Sequence, residues 1–128
     1  MILLDTHVLV WLASDPRHLS DAAAGLIREN QHAAHISAAS AWEISILVKR
    51  RRLILPLPAE EFVDRAIRRH RLIELPITRQ VAQQSALLPD LHADPFDRIL
   101  VAECLSRGLT LVSRDGQLAR YPGVSVVW

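Results

Sequence analysis

Apolar residues along this chain fall into two kinds of run, and their alternation predicts the fold. Ile2-Leu3-Leu4, Ala33 to Ile36, Leu72 to Leu75, Leu109 to Val112 and Val124 to Trp128 are short runs of strand length, and the continuously apolar ones read as strands buried on both faces. Longer segments with helix boundaries lie between them. Asp5-Thr6 supplies a polar end to the first strand and a possible cap for a helix over His7 to Ala13, which Asp15-Pro16 breaks. Ser20 caps a helix to about Glu29. From Ala38 to about Arg50, Ala41, Trp42, Ile44, Ile46, Leu47 and Val48 cover much of a helix circumference, so most of that helix is expected to be buried, with Glu43 as the odd residue. Pro56 and Pro58 mark a turn. After it, Ala59 to Arg71 places Phe62, Val63, Ala66 and Ile67 on one face and acids, then arginines, on the other. Thr78 caps a helix through about Leu87, and Pro89 ends it. In the last helix Asp94 reads as N-cap, Pro95 as first residue, Phe96 to Leu105 as the amphipathic body and Gly108 as the stop.

Strands alternating with helices predict an α/β sandwich with a mainly parallel central sheet flanked by helices. The 128 residues, 50% of them hydrophobic, suffice for one core, so the expectation is a single domain over residues 1–128. In such sheets functional groups gather beyond the carboxyl ends of the strands, near the switch in strand order. Asp5 and Asp115 follow carboxyl ends directly.

Bulk charge adds little, because 15 basic and 14 acidic residues nearly cancel; any nucleic-acid role must come from their distribution. Cys104 is the only cysteine, which excludes an internal disulfide and a thiolate zinc cluster and fits a reducing compartment. Met1 to Ala13 is apolar but has no basic leader, carries Asp5 and His7, and is too short to span a bilayer. A cytoplasmic protein without membrane association is expected.

The candidate chemistry lies in acids drawn from separate parts of the chain: Asp5, Glu43, Asp97 and Asp115, with Asp94 beside Asp97. Each has a local alternative. Asp5 and Asp94 can be helix caps, Glu43 can close a capping box with Ser40, Asp97 suits the positive end of a helix dipole, and Asp115 suits an Asp-Gly turn. For Asp94 the cap is the favoured reading; for Glu43, Ser37 is the better cap and leaves the acid inside the helix. Several carboxylates in one cleft raise one another's pKa, and a divalent cation relieves the repulsion. An all-oxygen ligand set selects a hard ion, Mg²⁺ or Mn²⁺, suited to phosphodiester cleavage by an activated water.

These residues also carry a resemblance. Leu3-Leu4-Asp5-Thr6, Ser37-Ala38-Ala39-Ser40-Ala41-Trp42-Glu43-Ile44, Asp94-Pro95-Phe96-Asp97-Arg98 and Leu111-Val112-Ser113-Arg114-Asp115 resemble, in order and over nearly the whole chain, the motifs of PIN-domain ribonucleases, especially the VapC toxins of type II toxin-antitoxin systems. The resemblance implies a Mg²⁺- or Mn²⁺-dependent endoribonuclease with Asp5, Glu43 and Asp97 as the acidic triad and Asp115 as a fourth acid. It implies supporting hydrogen bonds from Thr6 and Ser113, a homodimer, a small cognate antitoxin that fills the active-site groove, and an RNA substrate. His7 and Ser113 depart from the commonest pattern without removing an acid.

Lys49, Arg50, Arg51 and Arg52, with Arg65, Arg68, Arg69, His70 and Arg71, concentrate positive charge in the middle third. They hold RNA phosphates if they meet at the cleft rim, and form a solvated face otherwise. Arg98 is expected to orient an acid or contact phosphate, or to make an exposed salt bridge. His7 and His92 are placed near the cleft and the other histidines on the surface. Trp11 and Trp42 read as core or interface anchors and Trp128 as sheet-edge packing. The rival readings are an RNA-processing nuclease without an antitoxin and a catalytically silent binding module whose acids merely cap helices.

Overall fold

The computed structural model describes residues 1–128. Its strands are β1 (Ile2–Leu4), β2 (Ala34–Ser37), β3 (Ile73–Leu75), β4 (Thr110–Val112) and β5 (Val126–Val127). They form one sheet in the order β3-β2-β1-β4-β5, every neighbouring pair parallel. Parallel pairing requires crossovers, and the helices provide them: α1 (Thr6–Ser14), α2 (Asp21–Glu29), α3 (Ala38–Lys49), α4 (Ala59–His70), α5 (Arg79–Leu87) and α6 (Pro95–Arg107). The chain moves outward from β1 through β2 to β3, then returns to the other side of β1 with β4 and β5. The switch in strand order therefore falls at β1, whose carboxyl end carries Asp5.

Strand periodicity sorts the core onto two faces. Ile2 and Leu4 of β1, Ala34 and Ile36 of β2 and Val112 of β4 pack with Val8 and Leu9 of α1, Ala23 of α2, Ile44 of α3 and Phe62 of α4. Leu3 and Leu111 point the other way, onto Leu100, Val101 and Cys104 of α6 and onto Leu118 and Tyr121. This is the expected sandwich, with helices on both faces of a parallel sheet. Burial in this layer pushes the Cys104 thiol up to about 12, so it is inert packing.

Helix entry is local chemistry. The side chains of Asp5, Ser20, Ser37, Thr78 and Asp94 each accept a backbone N–H at the start of their helix. Ser37, not Ser40, caps α3; its oxygen accepts from the Ala39 N–H at 3.0 Å, which leaves Glu43 in the second turn. Gly108 ends α6 in the left-handed conformation, at φ 67°.

Two expectations fail here. The α3 helix is not mostly buried: Ala39, Ser40 and Ile44 are buried, whereas Ile46, Leu47 and Val48 are half-buried and Trp42 is 55% exposed. α4, α6, α1 and β2 pack around α3 and leave Trp42, Ser45 and Lys49 exposed. His35 is buried rather than on the surface, because its position in β2 brings Nδ1 to the Ile2 carbonyl at 3.1 Å. Trp128 does pack at the sheet edge, with its ring 5.6 Å from that of Trp11.

Candidate functional site

Three helices begin at the carboxyl edge of the sheet, and each brings an acid with it. α1 starts after β1, capped by Asp5; α3 starts after β2 and presents Glu43; α6 starts at Asp94 and carries Asp97 in its first turn. Their positive dipole ends converge on the same place, which suits a cluster of anions. β4 ends nearby with Ser113, followed by Asp115.

Hydrogen bonds hold these groups in place. Ser113 Oγ donates to Asp5 Oδ2 across 108 positions of sequence, and the His7 N–H donates to Asp5 Oδ1 at 3.3 Å. Asp115 has its own supports: its N–H donates to Ser113 Oγ at 3.1 Å, and its Oδ1 accepts the Gln117 N–H at 2.9 Å, capping the 3₁₀ turn Gly116–Arg120. Thr6 Oγ1 donates to Ser40 Oγ at 3.0 Å, tying the first turn of α1 to α3.

The electrostatics identify Asp97 as the centre of the cluster. Burial, and then the negative charges of Asp5, Asp94, Glu43 and Asp115, push its carboxyl up to about 8. Glu43 is raised as well, chiefly by burial and secondarily by Asp94 and Asp5, with the neighbouring Thr6 hydroxyl opposing the rise. Asp94 is therefore both a cap, accepting the Phe96 N–H at 2.9 Å, and part of the field around the two acids.

His92 is the site residue that the acid motifs alone do not reveal. Its Nε2 lies 3.1 Å from Asp115 Oδ2 and 3.5 Å from Asp97 Oδ2. The Asp94 N–H donates to its Nδ1 at 3.2 Å, so Nδ1 is the acceptor and Nε2 carries the proton offered to the carboxylates. Sequence proximity to Asp94 was the available signal. The ligand atoms of His92, Asp97 and Asp115 all lie within 4.8 Å of one another, a spacing compatible with one divalent ion. With Nε2 protonated, the oxygens are the ready ligands, and the donor set is that of a hard cation.

The basic residues are not at this site. α3 leads away from the carboxyl end of β2, so Lys49, Arg50, Arg51 and Arg52 come roughly 18 Å along the helix from its capped start. At the end of α4, Arg65, Arg68, Arg69 and His70 line a hollow of about 410 Å³ with Ala13, at the far end of α1. Arg69 and Arg71 line another of about 440 Å³ with Ala34 and Leu72, where β2 and β3 begin. Both clusters sit toward the amino edge of the sheet, opposite the acids, which corrects the expectation of a basic cleft rim. The cause is topological: a crossover helix returns the chain, so its last turn lies where strands start.

Arg98 also takes a different place. Nη1 donates to the carbonyls of Pro89 (2.9 Å) and His92 (3.3 Å), and Nη2 to those of Ser85 (3.0 Å) and Leu88 (2.9 Å). Its fork thus closes the end of α5 and the loop that carries His92, instead of contacting an acid.

Three comparisons with known proteins bear on this geometry. A family model described as PIN domain matches residues 2–124. The chain belongs to the PIN-domain family. Within that family it is of VapC type: Ribonuclease VapC22 of Mycobacterium tuberculosis is 32% identical to it over 130 residues, covering 99% of this chain and 98% of that protein. Solved structures share the PIN fold at lower identity. DNA-bound VapBC from Salmonella typhimurium superposes with a TM-score of 0.72 at 19% identity, covering 99% of this chain and 98% of that one. A toxin-antitoxin complex from Klebsiella pneumoniae gives 0.68 at 24% identity, covering 100% and 97%. Membership of the VapC-type PIN ribonucleases supports a nuclease of the toxin-antitoxin kind. No helix is long and apolar enough to cross a membrane.

Proposed function

We propose that this PIN domain, residues 1–128, is a Mg²⁺- or Mn²⁺-dependent endoribonuclease that acts as the toxin of a toxin-antitoxin pair. The observation that carries the reading is the convergence of Asp5, Glu43, Asp94 and Asp115 on Asp97, whose carboxyl is pushed up to about 8 by burial first and by these charges second. So crowded a set of acids is stable in ionised form only with a cation among them. Asp5, Glu43 and Asp97 would hold the ion, with Asp115 as a fourth acid; Asp115 and Asp97 share the close group with His92. When bound, the ion supplies charge neutralisation at the phosphate and lowers the pKa of a coordinated water.

The chain's own residues do the rest. Ser113 and the His7 N–H fix the two oxygens of Asp5, and Thr6 supports Glu43. The N–H of His92 Nε2 donates to Asp115 and lies 3.5 Å from Asp97. With the arginine clusters at the other edge of the sheet, the phosphate is drawn by the ion and by the amino ends of α1, α3 and α6. The chain acts as a homodimer, and a small antitoxin blocks the groove.

Induced expression in a bacterial host is expected to arrest growth, with stable RNA fragments appearing on gels. Co-expression of a small antitoxin encoded beside the gene should relieve the arrest. Undisturbed growth with abundant folded protein would remove the toxin role and leave a processing nuclease or a binding module.

A further inference from the structure

We propose that Trp42 and Phe96 form a stacking platform for a nucleobase of single-stranded RNA, beside the carboxylate cluster. The proposal rests on the endoribonuclease reading and names how that site holds its substrate. The two rings meet edge to face, with centroids 4.9 Å apart and planes at 82°. Phe96 is half-buried, while Trp42 leaves 55% of its surface exposed. An indole of that size exposed on a helix is an uncovered apolar surface, anchored on one side by an aromatic neighbour.

Its position gives the occupant. Trp42 precedes Glu43 on α3 and Phe96 precedes Asp97 on α6, so each ring is one residue from an acid of the cluster. Adjacent helix residues point about 100° apart, which sets the rings beside the acids and not among them. A phosphodiester drawn to the cluster therefore brings a flanking base within reach of the rings. Unpaired RNA bases are read by stacking on exposed aromatic side chains, and any base has a π-face to offer.

The surroundings disfavour the other occupants. Trp42 lines a hollow of about 390 Å³ together with Glu60, Asp64 and Glu74. An acidic peptide lying over Trp42 meets these carboxylates on one side and the cluster on the other. A symmetric contact with a second copy doubles the same negative charge. A base is neutral where it covers the ring, and the phosphate beside it is directed to the cation.

The test uses the full chain as Trp42→Ala and Trp42→Phe variants, with Phe96→Leu as a third. Affinity is read by the fluorescence anisotropy of an end-labelled, mixed-sequence single-stranded oligodeoxyribonucleotide in Mg²⁺, quenching by tryptophan fluorescence with the unlabelled strand, and cleavage with the matching oligoribonucleotide. The wild type should show quenching on binding that Trp42→Ala loses, with affinity falling by roughly tenfold or more. Trp42→Phe should recover most of the affinity. In cleavage KM should rise while kcat changes little, and sedimentation should show an unchanged oligomeric state.

Unchanged affinity and quenching in Trp42→Ala would overturn the platform, as would a shift of that variant to a smaller oligomer, which would make Trp42 a contact between copies. If Trp42→Ala fails to fold, Trp42→Phe and Phe96→Leu decide on the same readings. Wild-type binding with quenching but no RNA cleavage would defeat the endoribonuclease reading and leave the platform standing. Cleavage that ignores Trp42 would defeat only the platform, and neither binding nor cleavage would defeat both.

Discussion

Asp97→Asn is expected to lower kcat by at least about a thousandfold while raising the stability of the metal-free protein at neutral and alkaline pH. The two effects have one source. The Asp97 carboxyl is lifted from 3.8 to about 8 by burial and by Asp5, Asp94, Glu43 and Asp115. The folded chain therefore binds this proton more tightly than the unfolded chain does. The resulting stability is complete below the unfolded value and is lost progressively as pH rises through the folded value, on the order of a few kcal/mol across that window. Asparagine has no proton to lose, so the variant escapes this loss; Glu43, raised in the same direction, leaves a smaller slope behind.

Thermal melting from pH 4 to 9 in chelator, then with Mg²⁺ or Mn²⁺, reads the effect. The wild type should weaken toward pH 8 and recover when the ion is added. The variant should start higher and gain little from the ion. Equal pH slopes in the two proteins would mean that Asp97 does not carry the repulsion.

Arg98→Ala is expected to cost about 2–4 kcal/mol and to lower the melting temperature by roughly 10 °C. Removing the guanidinium leaves the carbonyls of Ser85, Leu88, Pro89 and His92 without their donor, and Tyr121 Oη loses a contact at 3.3 Å. These carbonyls end α5 and shape the segment before Asp94, so His92 is freed with them. Arg98→Lys should recover little, since a single ammonium cannot span both Nη positions. Assayed well below its melting point, Arg98→Ala should also cleave more slowly through the displaced His92. Melting within about 2 °C of wild type would show that solvent substitutes for the fork.

What the sequence disclosed, and what it did not, follows from the range of each interaction. Caps were legible because a Ser, Thr or Asp and the N–H it accepts lie two or three residues apart: Ser20, Ser37, Thr78 and Asp94 are all in place. The order of strands and helices was legible from apolar run lengths, and with it the parallel sandwich. Strand ends moved by a residue or two, and the last strand shortened to Val126–Val127.

Long-range partners were not legible. Arg98 beside Asp97 suggests an ion pair, yet the helix turns consecutive residues apart and its guanidinium meets carbonyls up to 13 positions away. The basic clusters close in sequence to Glu43 end up at the opposite sheet edge, because α3 and α4 run back along the strands. Exposure of Trp42 was equally hidden: apolar residues all round a helix imply burial, but only the structure shows which side has a neighbour.

The most direct test of metal-assisted RNA hydrolysis at the Asp97 cluster is cleavage of RNA by the purified protein in Mg²⁺, in Mn²⁺ and in EDTA, with analysis of the product ends. The expected result is discrete fragments in either metal, none in EDTA, and ends consisting of 5′-phosphate and 3′-hydroxyl, as attack by water with the 3′-oxygen as leaving group gives. Cleavage that persists in EDTA would mean that no metal is needed, and fragments ending in a 2′,3′-cyclic phosphate would mean that the RNA's own hydroxyl is the nucleophile; either would contradict the account.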